Sequence, residues 1–110
     1  IYGKLNENWQ NQIGDILSKL LPAGSISGAP KEKTTQIIQQ AEKQKRGYYT
    51  GIFGIFDGKT LQSAVAIRFI SQVDEKFYFH SGGGITIHSN MQDEYEELLE
   101  KVYLPIEGAD

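Results

Sequence analysis

The chain has no cysteine among its 110 residues, which excludes disulfide staples, thiolate zinc sites and a cysteine nucleophile. The same absence fits a reducing compartment. No apolar run approaches the ~18 residues of a membrane span, and residues 1–20 lack the basic start and apolar stretch of a secretory signal. A cytoplasmic location without membrane contact is expected. The two histidines, His80 and His88, are too few and too isolated for a zinc site and read as structural or exposed. A Gly-x-Ser-x-Gly elbow, a Walker loop and a dinucleotide fingerprint are all missing, as are internal repeats and low-complexity stretches.

What is present is an ordinary globular composition, 39% hydrophobic and 23% charged, with a net charge of −3. One modest core fits a chain of this size, which buries about two thirds of its unfolded surface. Charge is unevenly spread. Residues 31–46 carry Lys31, Lys33, Lys43, Lys45 and Arg46 against Glu32 and Glu42, while 88–110 carry seven acids against Lys101. The basic residues alternate with polar ones as on a solvated helix face, and the net negative charge offers no field for nucleic acid. The chain opens on Ile1-Tyr2-Gly3 without an initiator methionine and runs out over Pro105 to Asp110 without a structural ending. The expectation is a single piece, 1–110, of something longer.

Trp9, Ile13, Ile16, Leu17, Leu20 and Leu21 recur at helical spacing over Asn6 to Leu21, before Pro22. A loop of small residues from Pro22 to Pro30 then feeds a second predicted helix over Lys31 to Arg46, with Gly47 as its stop. Tyr48 to Phe56 and Leu61 to Ile70 read as strands joined through Asp57-Gly58, and Lys76 to Ser81 as a third strand after a turn at Val73-Asp74-Glu75. A last helix carries the stripe Met91, Tyr95, Leu98, Leu99 and Val102, with Ser89 and Gln92 spaced as a capping box. The order ααβββα implies an α+β fold, an antiparallel β-sheet with helices packed on one face.

On the last helix, Glu94, Glu97 and Lys101 lie at about 0, 300 and 340 degrees, beside the apolar arc, given ~100 degrees per residue. Two carboxylates at i, i+3 can share Mg²⁺, with water and substrate completing its shell. Glu97 and Lys101 are equally spaced as an i, i+4 surface pair, which spacing alone favours. Gly82-Gly83-Gly84 at a strand end suits either an anion-binding nest or a simple strand exit. Arg68 is placed by alternation on the strand face of Ala64 and Ala66, where it suits a carboxylate or a structural ion pair. Ser25 and Ser27 come at a helix start, where free N–H groups favour an anion or where Ser27 caps the helix.

Taken together, GSISGAPK at 24–31, GIFGIF at 51–56, IRF at 67–69, SGGGI at 81–85 and the Glu94/Glu97/Lys101 helix resemble the C-terminal part of the chorismate-utilising enzymes. Order and spacing agree over nearly the whole chain, but a catalytic chain of that family is several times longer. The family includes aminodeoxychorismate synthase component I, anthranilate synthase component I, and isochorismate and salicylate synthases. Within it, GSISGAPK and SGGGI are closer to the aminodeoxychorismate synthases. Anthranilate synthases tend to read Thr at the position of Ser25 and Ala-Gly-Ala-Gly across the glycine run.

The resemblance implies roles residue by residue. Glu94 and Glu97 match glutamates that hold Mg²⁺, Arg68 an arginine on the enolpyruvyl carboxylate, and Gly82, Gly83 and Gly84 backbone donors to the same anion. Lys101 matches a lysine near a substrate carboxylate, and Ser25 a hydroxyl close to the substrate ring. The implied activity is amination of chorismate to 4-amino-4-deoxychorismate on the way to folate, with ammonia from a glutamine amidotransferase partner. Rival readings are anthranilate synthesis, isochorismate or salicylate synthesis, and a non-catalytic anion-binding module. Ile55, where the family usually has tyrosine, favours the last. The missing upstream part leaves half a site, so the isolated chain is expected to be inactive, to expose apolar surface and to self-associate.

Overall fold

A computed structural model describes residues 3–104. Its secondary structure is a 3-10 turn Trp9–Gln12 running into α1 (Ile13–Leu20), then α2 (Gly24–Ser27), α3 (Lys31–Ala41), β1 (Ile52–Phe56), β2 (Leu61–Val65), β3 (Phe69–Val73), β4 (Lys76–His80) and α4 (Met91–Glu100). The strands pair antiparallel, β1 with β2 and β3 with β4, as two separate hairpins. The α+β class expected from the sequence is thus the observed one, with four strands in place of three. The chain divides into two compact units between Val65 and Ala66.

In the first unit, the apolar stripe of α1 and the inner residues of the first hairpin line a groove of about 680 Å³ that includes Trp9, Ile16, Leu20, Ile52 and Val65. The Trp9 and Phe56 rings lie 5.9 Å apart. The end of α1 is tied down by Lys31, whose Nζ donates to the Leu20 carbonyl at 3.1 Å, supplying one of the partners that the last turn of a helix lacks. The first hairpin turns where Asp57 Oδ1 accepts from the N–H groups of Lys59 and Thr60 at 2.8 and 2.7 Å. Gly58 sits there at φ +91, a conformation open mainly to glycine. These bonds hold the Asp57 carboxyl below the usual range, Thr60 N–H first and Lys59 N–H next.

Several boundaries differ from those the sequence predicts. The loop from Pro22 to Pro30 contains the short helix α2, so Ser25 and Ser27 stand within it and neither caps α3, whose N-cap is Pro30 without a side-chain bond. Helix α3 ends at Ala41 and not at Arg46, because Glu42 turns extended and its carboxylate is gripped by Arg46, with Nε at 2.8 Å. Arg46 also donates to Thr50 Oγ1 at 3.1 Å and covers the Tyr49 ring at 5.5 Å. The predicted strand Leu61 to Ile70 is broken. Arg68 takes φ +50, which no strand residue can hold, and β3 begins afresh at Phe69.

The second hairpin forms as its turn chemistry requires. Val73 pairs with Lys76, and Asp74 and Glu75 between them both have positive φ, +49 and +67, as a type I′ turn demands. His80 stacks on Phe69 with centroids 4.6 Å apart and shares a 2.7 Å hydrogen bond with Ser71 Oγ, so it is the structural histidine the sequence implies. At the start of α4 the cap is Asn90, not Ser89: Asn90 Oδ1 accepts from Gln92 and Asp93 N–H at 3.0 and 3.2 Å, while Ser89 Oγ takes the Thr86 N–H at 2.8 Å.

Among the described residues no hydrophobic side chain is fully buried, and Phe53, Ile55, Phe77, Ile87 and Met91 are mostly exposed. Apolar side chains on both units thus remain at least partly open to solvent, the stripe of α1 least so, because its residues share a groove with the first hairpin. Gly54 faces Ser63 across the first hairpin, where an added Cβ would meet the Gln62 carbonyl oxygen and sit 2.9 Å from Ser63 Cα. Gly54→Ala is expected to lower stability by about 1–3 kcal/mol through this overlap, read in thermal unfolding, whereas Gly14→Ala, which meets open space in α1, is not. Equal unfolding midpoints for the two variants would contradict the hairpin's close approach.

Candidate active site

The second unit brings together most of the residues the sequence singled out. β4 delivers the chain at Ser81, and the glycine run follows directly. Ser81 Oγ donates to the Leu98 carbonyl at 3.2 Å. One residue on, the Gly82 carbonyl accepts from Lys101 Nζ at 3.2 Å, and the same ammonium lies 2.6 Å from Glu97 Oε1. Gly83 rests against the helix side chains: a Cβ there would sit 3.5 Å from Glu94 Oε2 and 4.0 Å from Lys101 Nζ. Glycine keeps this face of the carboxylate open, which a methyl group would cover. Gly84 has open space around it.

The glycine run does not use left-handed backbone, since the positive-φ glycines are Gly28, Gly47 and Gly58. What it contributes is a bare backbone at close quarters to Glu94 and Lys101, not the alternating geometry of a nest. Gly82 meets Lys101 as an acceptor, through its carbonyl.

Helical spacing explains the α4 cluster. Glu94, Glu97 and Lys101 are three and four residues apart on one helix face, and Asn90 fixes where that helix starts. Lys101 lies just past the last helical residue, where a cation complements the carbonyl ends of the helix. The charges act on one another. The Glu97 carboxyl is held below the usual range, first by its hydrogen bond and charge pairing with Lys101 and further by the field of Arg68. Arg68 itself sits at the break between β2 and β3 rather than on a strand face. Glu94 is half-buried, and Glu97 keeps 52% of its side chain exposed.

Ser25 belongs to the first unit, exposed on α2. Ile55 is 75% exposed on β1, opposite Gln62. Two residues without an assigned role in the sequence pattern prove to shape the site, Ser81 and Asn90. An Asn directly before Met91, with Asp93 three places on, was the available signal for the cap. The reach of Ser81 to Leu98 spans seventeen residues and has no local signature.

Because Lys101 is the main cause of the low Glu97 pKa, the ion pair contributes above the ordinary carboxylate pKa and is lost as pH falls through the depressed one. In a ¹³C-carboxyl NMR titration, Glu97 is expected to titrate below the ordinary glutamate range, and Lys101→Ala to return it upward. A titration unchanged by that substitution would contradict the pairing.

Comparison with known proteins shows the family. The family model described as chorismate binding enzyme matches residues 1–107. A Haemophilus influenzae protein named an uncharacterized PabA-like protein is 97% identical over 110 residues, all of this chain and 34% of that protein. Anthranilate synthase component 1 of Saccharomyces cerevisiae is 38% identical over 90 residues, 80% of this chain and 18% of the yeast protein. The enzyme of the same name from Neisseria meningitidis is 34% identical over 110 residues, 99% of this chain and 22% of its own length. The chain thus spans about a third of the Haemophilus relative and less of the others. No solved structure matches it. Matched by the family model over nearly its whole length, the chain belongs to the chorismate binding enzyme family.

Proposed function

We propose that this chain is the C-terminal part of an aminodeoxychorismate synthase component I, whose full-length polypeptide replaces the 4-hydroxyl of chorismate with an amino group. The observation that carries the reading is the convergence of Glu94, Glu97, Lys101 and the bare Gly82–Gly84 backbone, within the field of Arg68. Two carboxylates and two cations leave the cluster close to neutral. A dicarboxylate such as chorismate is then accommodated together with one divalent cation, so that the loaded site stays neutral.

The donor set fits Mg²⁺. Among the described residues no group of three or more His, Asp or Glu side chains gathers as a metal site, but Mg²⁺ is commonly held by one or two carboxylates, with water and substrate as its other ligands. Glu94 and Glu97 are the residues that would hold it. The bound ion supplies charge neutralisation at a substrate carboxylate as the ring hydroxyl departs. Arg68 and Lys101 bind and orient the carboxylates, and the glycine run lets the substrate approach the backbone without a Cβ in the way. For Ser25, in the first unit, a role beside the substrate ring rests on the family resemblance of GSISGAPK alone. Ammonia is supplied by a glutamine amidotransferase partner.

The relatives named anthranilate synthase component 1 support a second reading, with the same cluster and amination at a different ring position. A direct test incubates the full-length polypeptide with chorismate, Mg²⁺ and an ammonium salt and identifies the product by mass spectrometry. Aminodeoxychorismate is expected, and Glu97→Gln should lower the rate at limiting Mg²⁺ by about a hundredfold or more, as loss of a metal contribution of several kcal/mol implies. Anthranilate or isochorismate would overturn the assignment within the family. Absence of any product would favour a binding module.

The apolar side chains left open to solvent also bear on partners. The isolated 110-residue chain is expected to self-associate and to bind an apolar dye, measured by sedimentation velocity and fluorescence. A strictly monomeric species with low dye binding would contradict this.

A further inference from the structure

We propose that Ser81 is a positioning residue of this site: its hydroxyl, bound to the Leu98 carbonyl, fixes the glycine run on α4 so that Gly83 stays against Glu94 and Lys101. This rests on the chorismate reading of the cluster, and it concerns a residue that neither holds the cation nor touches substrate.

The argument begins with the end of α4. The last carbonyls of a helix have no partner within it. Here the Lys101 N–H bonds to the Glu97 carbonyl, and the Val102 N–H turns back to Leu99. The Leu98 carbonyl is therefore bypassed by the backbone and is free for Ser81 Oγ at 3.2 Å. A half-buried carbonyl without a partner is costly, so the helix end itself selects a donor at position 81. Ser81 is the residue between β4 and Gly82. The bond consequently joins the rigid hairpin to the helix at the point where the flexible glycines start.

A second link lies one residue further along, where Lys101 Nζ reaches the Gly82 carbonyl. It cannot set the geometry alone. Lysine has a long, rotatable stem, and its ammonium is shared with Glu97 at 2.6 Å, so any change in the charge of Glu97 or the arrival of an anion redistributes its bonds. Serine has one side-chain torsion, and its bond to a backbone carbonyl is indifferent to the charge state of the cluster. Three successive glycines have the largest conformational freedom of any tripeptide. Pinning the residue before them is what makes their approach to Glu94 reproducible.

The test uses the full-length polypeptide with ¹⁵N-glycine labelling and three forms: Ser81, Ser81→Ala and Ser81→Thr. Steady-state kinetics with chorismate at saturating Mg²⁺ should show Ser81→Ala raising KM about five- to tenfold, the worth of one hydrogen bond, with kcat changed less than about twofold. Ser81→Thr, which keeps the hydroxyl, should restore KM. The amide resonances of Gly82, Gly83 and Gly84 should move in Ser81→Ala and return in Ser81→Thr, with those of Gly14 and Gly58 unmoved. An unchanged KM in an active enzyme overturns the positioning role, and so does a KM that Thr fails to restore. If the unsubstituted protein does not turn over chorismate, the proposed function fails instead. The glycine resonances then decide the Ser81 pin alone: moved and restored they support it, unmoved they overturn it.

Discussion

The charges of the candidate site are joined through one ammonium group. Lys101 Nζ lies between the Gly82 carbonyl at 3.2 Å and the Glu97 carboxylate at 2.6 Å, and so binds a loop and a helix into one surface. An exposed i, i+4 pair is ordinarily worth only about 0.3–0.5 kcal/mol, and Glu97 is half in solvent. The value of this pair is positional. With its ammonium directed to Gly82, Lys101 brings a chain segment without side chains beside Glu94, and the pairing keeps Glu97 ionised at pH values where a free glutamate would begin to take up a proton. Both effects support the proposed reading, in which the site receives anions together with a divalent cation.

A second constraint concerns what the chain lacks. None of its described hydrophobic residues is fully buried, although the stripes on α1, α4 and both hairpins have the periodicity of core-facing elements. Periodicity records which face is to be covered, whereas burial requires something to cover it. The chain spans about a third of its Haemophilus relative, and its helices and hairpins are well formed locally while Phe53, Ile55, Phe77 and Met91 remain open. Local hydrogen bonding carries these elements: the Asp57 turn, the type I′ turn at Asp74-Glu75, the Asn90 cap and the Lys31 bond to the end of α1.

What the sequence made legible follows the same division. Helix α4, the Asp-Gly turn and strand β4 are governed by neighbours within four residues, and each is found where its pattern puts it, whereas α1, predicted from Asn6, begins only at Ile13 after a 3-10 turn. Features governed by contacts at longer range or by a single backbone choice were not legible. Arg68 fits a strand by alternation, yet its left-handed φ breaks the strand there. Helix α3 ends where its apolar stripe ends, at Ala41; the basic residues beyond it looked helical only because they alternate with polar ones. The choice between Ser89 and Asn90 as cap was decided by Thr86, which claims the serine hydroxyl. Of the candidate site, the α4 triad could be read from spacing, but the bonds from Lys101 to Gly82 and from Ser81 to Leu98 could not. The two bonds join residues nineteen and seventeen positions apart, beyond the reach of any local pattern.

The central claim is that the α4 carboxylates and the glycine run form one substrate and metal surface. It is tested most directly by a crystal structure of the full-length polypeptide with Mg²⁺ and chorismate. The account predicts the ion held by Glu94 or Glu97, either directly at about 2.0–2.1 Å or, at longer range, through one bridging water, with a chorismate carboxylate against Gly82–Gly84 and Lys101. Chorismate bound elsewhere, with Glu94 and Glu97 facing solvent and Lys101 still held by Gly82, would contradict it.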